Sequence, residues 1–183
     1  MKIVKGDVLI LSGISGAGKS TLGEALRDYL IEKGQKTTVL DGDCLRTKFE
    51  EELKYSPEDR LMVSKILAYA THLLSENGIH VILATMLSQP GAREFMSRRV
   101  EFCEIFLDAC IEECKKKDVK TVYQENLSNK EPNIVGHDLV FSRAETPDLV
   151  IETHTETPEQ SLKKIIKFLS GKNLFNLGHG TCE

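Results

Sequence analysis

Short apolar runs alternate along the chain with longer stretches in which apolar residues recur every three or four positions. Val8, Leu9, Ile10 and Leu11, continued by Ser12, form the first strand-like segment, 8–12, and the segments 36–40, 79–84, 100–107 and 149–152 are of the same kind. Runs this short and this continuously apolar suit strands covered on both faces. Between them, residues 19–32 place Leu22, Leu26, Tyr29 and Leu30 on one face, which is the period of a helix. Gly34 stops that helix. Ser56 and Pro57 open a longer one that Gly78 ends, with the serine hydroxyl as N-cap and proline at a first-turn position where its missing N–H costs nothing. Further helices are expected over 91–99, 111–117 and 158–169. The alternation predicts a βαβα chain, a mostly parallel sheet with helices on both faces, and ligands gathered at the carboxyl ends of the strands. Between 118 and 146 the periodicity fades, and a lid is expected there. Residues 171–183 read as a polar tail, which leaves 1–170 as one domain.

Composition narrows the partners. The chain of 183 residues carries 24 Lys and Arg against 28 Asp and Glu, a formal charge of −4, so no general basic field exists to hold a nucleic acid. The longest apolar stretches, around 8–11 and 81–87, fall short of the roughly 18 residues that span a bilayer. The run after Lys2 and Lys5 is too short for a secretory signal and leads into glycines. A cytoplasmic protein without membrane partners is expected. Cys44, Cys103, Cys110, Cys114 and Cys182 include no CxxC pair, and Cys110 and Cys114, four apart, lack the further ligands of a zinc site. They read as incidental reduced thiols.

Gly13-Ile14-Ser15-Gly16-Ala17-Gly18-Lys19-Ser20 satisfies GxxxxGK[ST] between a strand and a helix, the context that a phosphate-binding loop requires. Its backbone N–H groups and the following helix N-terminus would cradle a polyphosphate, Lys19 would reach the β- and γ-phosphates, and Ser20 would hold Mg²⁺. The fold class is therefore a three-layer α/β/α P-loop NTPase. The loop alone does not specify a reaction. Asp41-Gly42-Asp43 ends the second strand and offers two carboxylates for an acceptor hydroxyl or a metal shell; Asp-Gly-Asp is equally a good turn former. Arg46 and Arg60 could each fork onto phosphate or sulfate oxygens, or face solvent and pair with a nearby glutamate.

Five segments together resemble the adenylyl-sulfate kinases: Gly13 to Thr21, Leu-Asp-Gly-Asp at Leu40 to Asp43 with Arg46, Tyr-Ser-Pro-Glu-Asp-Arg at Tyr55 to Arg60, Asp-Val-Lys-Thr-Val-Tyr at Asp118 to Tyr123, and Thr-Pro-Asp-Leu-Val-Ile at Thr146 to Ile151. The resemblance implies transfer of the γ-phosphate of ATP to the 3′-hydroxyl of adenylyl sulfate, with Mg²⁺, in a homodimer. By position, it implies that Ser15, Gly16, Ala17, Gly18, Lys19, Ser20 and Thr21 bind ATP with Gly13. Asp41 would then act as base or metal-shell carboxylate, and Asp43, Arg46 and Arg60 would touch the acceptor nucleotide. Lys120 would approach the phosphates from the lid, and Lys117 stands where the family generally has an arginine against the adenine of ATP. Asp108 reads as a helix cap.

Two departures concern the acceptor. Where the family typically continues Asn-Ile-Arg-Arg, this chain has Val63-Ser64-Lys65-Ile66. Where the lid normally supplies a phenylalanine that stacks on the acceptor base, Ile134 stands, leaving Tyr55 for one face only; base-on-aromatic stacking is worth about 1–3 kcal/mol. Acceptor choice is thus open between adenylyl sulfate and a pyrimidine nucleotide such as the CDP-phosphoramidate used by relatives in capsule biosynthesis. Outside kinases, a GTP-dependent switch is suggested by Asn129-Lys130-Glu131-Pro132, which lacks the final Asp of a guanine-reading motif, and a pure binding module would lack acceptor-stimulated ATP consumption. The histidines 72, 80, 137, 154 and 179 form no nucleophile or metal constellation; His137, in the lid, is the one placed to meet substrate.

Overall fold

All five positions of the strand Val8–Ser12 (β1) are buried, the four apolar ones and Ser12 with them. In the computed structural model, which describes residues 4–49, 53, 56–87, 91–116 and 145–177, β1 is the centre of a five-stranded sheet. Its companions are Thr37–Asp41 (β2), His80–Ala84 (β3), Cys103–Asp108 (β4) and Leu149–Glu152 (β5), in the order β2-β3-β1-β4-β5 with every pairing parallel. The register sets Val8 opposite Val81, Leu9 opposite Cys103 and Asp41 opposite Ala84.

Parallel neighbours need crossovers, and helices Lys19–Glu32 (α1), Gly42–Lys48 (α2), Pro57–Glu76 (α3), Ala92–Ser97 (α4), Ile111–Lys116 (α5) and Pro158–Gly171 (α6) lie between or after the strands. The period of two along β1 divides the core. Leu9 and Leu11 pack with Leu22, Leu26, Ile165 and Leu169 of α1 and α6, whereas Val8 and Ile10 pack with Val63 and Leu67 of α3 and Met96 of α4. Three layers result, with the carboxyl ends of the strands meeting at one edge. Among the described residues, no helix is long and apolar enough to cross a membrane.

β1, α1 and β5 have the bounds that the pattern predicts, and Ser56 caps α3 as expected, its hydroxyl accepting from the N–H of Asp59 at 3.1 Å. β4 starts at Cys103 and not at Val100, because the N–H of Val100 is bonded to the carbonyl of Met96 in the turn that ends α4. α2 was not foreseen: 42–48 has no apolar period, and the helix is set by its cap, Asp41, whose Oδ1 accepts from the N–H groups of Asp43 at 2.7 Å and Cys44 at 3.2 Å. α5 begins at Ile111, too far along for Asp108 to cap it.

The expected polar tail also differs. After α6 the chain turns back through a 3₁₀ turn, Leu174–Asn176, and Phe175 is fully buried in the α1/α6 core. Its ring stacks on His80 with centroids 5.0 Å apart, and its N–H donates to Asp7 Oδ2 at 2.6 Å. Leu174, Phe175 and Leu177, broken by Asn176, are too short a cluster to carry a periodicity by which to find it. The Asp7 N–H donates to His80 Nδ1 at 2.9 Å, so that nitrogen is unprotonated. Burial lowers the His80 pKa from its ordinary value, against the opposing pull of the Asp7 carboxylate.

The unfolded chain therefore takes up this proton at a higher pH than the folded one. The stabilisation is present above the ordinary histidine pKa and is lost as pH falls through the lowered value. Thermal melts from about pH 7 to about pH 5 should show a declining melting temperature, and His80→Asn should flatten that part of the profile. Superimposable profiles for the two proteins would contradict this account.

Candidate active site

The turn between β1 and α1 is shaped by three glycines. Gly16 and Gly18 have φ of 81° and 92°, in the left-handed region that side chains disfavour. A Cβ on Gly13 would lie 2.7 Å from the carbonyl oxygen of Leu107. α1 opens from Gly18 without a side-chain cap and has no acidic residue in its first turn. Its initial N–H groups lack intrahelical acceptors and its positive end is not neutralised by its own sequence, the disposition that favours an anion.

Lys19 arches back over this loop, with Nζ donating to the carbonyls of Gly13 at 3.0 Å and Ile14 at 2.7 Å. Ser20 Oγ donates to Asp41 Oδ2 at 2.5 Å. β3 intervenes between β1 and β2, so Asp41 is not on the strand next to the loop; the first turn of α1 reaches across to it. One carboxylate thus joins the loop helix through Oδ2 and caps α2 through Oδ1, while Asp43, carried on that helix, faces the site.

Two cavities meet here. The larger, about 340 Å³, runs from 15–22 to the start of α5 and the turn between β5 and α6. The smaller, on the α3 face, is lined by Asp43, Arg46, Arg60, Ser64, Thr85 and Leu87 among others. Lys19 and Asp43 line both. Arg60, read from sequence as either a ligand or a surface ion-pair residue, is only 6% exposed and lies in this cleft.

The larger cavity is lined by Ser15, Gly16, Ala17, Gly18, Lys19, Ser20 and Thr21 but not by Gly13, and the smaller brings Arg46 and Arg60 to Asp43. Of the Val63-Ser64-Lys65-Ile66 segment, Val63 and Ser64 line the cleft, and the Ser64 hydroxyl donates to the carbonyl of Arg60 at 2.9 Å. Lys65 Nζ lies 5.9 Å from the centre of the Phe95 ring. Tyr55, Lys117, Lys120, Ile134 and His137, with nearly all of the expected lid, lie outside the described residues.

Several lining residues were not singled out by motif. Cys110 and Cys114, read as incidental thiols, line the larger cavity, as do Thr153, His154, Glu156 and Ser161. Cys114 packs close to the loop: a Cβ on Gly16 would fall 3.1 Å from the Cys114 Cβ. The available signal was topological. In a parallel sheet the segments after β4 and β5 must flank the loop after β1.

A glycine loop turned around a lysine at a strand-to-helix junction, opening through that lysine onto a second cationic cleft, defines a P-loop kinase. The adenylylsulphate kinase family matches residues 5–152, and the chain belongs to it. It is accordingly a transferase that phosphorylates a hydroxyl group. The chain is 34% identical over 167 residues to the adenylyl-sulfate kinase of Picosynechococcus sp., covering 91% of this chain and 94% of that one. It is 37% identical over 167 residues to the enzyme of the same name from Pseudomonas aeruginosa, covering 88% and 84%. The solved structure of the Mycobacterium tuberculosis APS kinase CysC in complex with AMPPNP and APS superposes with a TM-score of 0.82 at 26% identity, over 90% of this chain and 98% of that one.

Proposed function

We propose that the protein transfers the γ-phosphate of ATP to the 3′-hydroxyl of adenylyl sulfate. The observation that carries this reading is the pair of cavities joined at Lys19 and Asp43, which provides for a donor nucleotide on the loop and an anionic acceptor on Arg46 and Arg60 with a carboxylate and an ammonium at the junction. A relative solved with AMPPNP and APS supports it.

In this reading the loop N–H groups and Lys19 hold the phosphates, Arg46 and Arg60 hold the acceptor's charged groups, and Asp41 or Asp43 takes or orients the acceptor hydroxyl proton. The Ser20 hydroxyl and the Asp41 carboxylate are adjacent oxygen donors, the type that Mg²⁺ selects while it keeps several waters. They would hold the ion, which when bound neutralises phosphate charge. The resemblance also supports a homodimer.

One observation favours a second acceptor. The cleft wall at Val63 is apolar, and the Ser64 hydroxyl is turned back to Arg60, where the resemblance implies asparagine and arginine against the acceptor. The test supplies ATP and Mg²⁺ with adenylyl sulfate or with cytidine phosphate derivatives and locates the new phosphate by NMR. The higher kcat/KM is expected with adenylyl sulfate; a preference for the cytidine compounds reassigns the acceptor, and ATP consumption indifferent to both removes the kinase reading. Light scattering on the same preparation reads the dimer against a chain mass of 20.5 kDa.

A further inference from the structure

With the triphosphate on the loop, the base of the donor nucleotide is left to the rest of the larger cavity, between the start of α5 and the turn joining β5 to α6. The polar groups on that turn are unevenly distributed between donors and acceptors. Thr153 Oγ1 is spent on the carbonyl of Asp108 at 3.3 Å. His154 Nδ1 lies 3.2 Å from the same oxygen; a carbonyl only accepts, so Nδ1 is the donor in this contact.

Glu156 is the charged group on this wall. Its side chain is only 11% exposed, Oε1 is bound by Lys164 Nζ at 2.6 Å, and Oε2 receives one long bond, from the hydroxyl of the buried Ser161 at 3.4 Å. A carboxylate oxygen has room for about two bonds, so Oε2 can accept from a ligand. Lys164 itself is 58% exposed, and Glu156 lines the cavity whereas Lys164 does not.

We propose that Glu156 selects the phosphate donor, accepting a hydrogen bond from the 6-amino group of adenine and rejecting purines that carry a 6-keto oxygen. The assignment rests on the ATP reading given above and deepens it. An amine on the base satisfies Oε2. A keto oxygen in the same place sets acceptor against the acceptor of a mostly buried carboxylate, which penalises the wrong nucleotide as well as favouring the right one. The alternative role for Glu156 is structural, an ion pair with Lys164 beside the N-terminus of α6.

ATP and ITP differ only on the 6-amino edge of the base, where ITP carries a keto oxygen and an N1–H, and calorimetric titration of the full chain with each, in Mg²⁺, separates the two roles without requiring turnover. The native protein should bind ATP about ten- to a hundredfold more tightly than ITP. In Glu156→Gln, whose amide can donate to the keto oxygen, that ratio should fall towards one. In Lys164→Met, which removes the ion pair but leaves the carboxylate, the ratio should stay near the native value. An unselective native protein, an unchanged ratio in Glu156→Gln, or an equal loss in both variants overturns the assignment. ATP binding with such a pattern overturns only the role of Glu156, whereas no ATP binding by the native protein removes the donor reading beneath it.

Discussion

Lys19→Ala is expected to lower kcat by about a thousandfold or more while leaving the protein folded. The magnitude follows from where the ammonium sits. Nζ is gripped by the carbonyls of Gly13 and Ile14, at 3.0 and 2.7 Å, at the wall shared by the two cavities. A charge held there stabilises negative charge that develops between donor and acceptor, and it needs little reorganisation as the phosphoryl group moves. Structurally the loss is modest. The two carbonyls revert to water, and the glycine conformations that shape the loop do not depend on the side chain, so the melting temperature should shift by only a few degrees.

Lys19→Arg should rescue poorly although it keeps the charge, because a planar guanidinium is too broad to seat between two carbonyls that a compact ammonium bridges. Steady-state kinetics with a parallel thermal melt decides the matter. Native kcat in a folded Lys19→Ala protein would remove the lysine from the transfer step.

How far the site could be read in advance depended on whether its residues act through local chain geometry. Gly13 to Ser20 were legible because a left-handed φ at Gly16 and Gly18 and a close approach at Gly13 are demands on residue type, and they leave a mark in the sequence. The strands were legible for a similar reason. Burial on both faces leaves unbroken apolar runs, and only the ends moved, as at Val100, where a bond to Met96 decided the boundary.

Long-range contacts leave no such mark. Phe175 enters the core from the short turn after α6, and its N–H bonds to Asp7, 168 positions away. Glu156 and His154 face the nucleotide cavity because β4 and β5 bring them there, and nothing around them in sequence distinguishes them from a solvated turn. α2 is the intermediate case. Its cap, Asp41, stood out as a chemical residue, and the same carboxylate that suggests phosphoryl transfer also starts the helix.

That double duty makes Asp41→Asn the more informative substitution at the junction. An asparagine oxygen can still accept from the N–H groups of Asp43 and Cys44, and asparagine caps helices about as well as aspartate, so stability should change by less than about 1 kcal/mol. Asp41→Ala loses the cap and should cost about 1 kcal/mol more. For catalysis the order differs: both variants lack the negative charge beside Ser20 Oγ, and both should lose about two to four orders of magnitude in kcat, the range for removing a positioned base or metal-shell carboxylate. A common loss of kcat with unequal melting temperatures therefore assigns the charge to the reaction and the cap to the fold. If the acceptor KM of Asp41→Asn rises while kcat holds, the carboxylate binds the acceptor equally in ground and transition states. The proton would then pass to Asp43, the remaining carboxylate that lines both cavities.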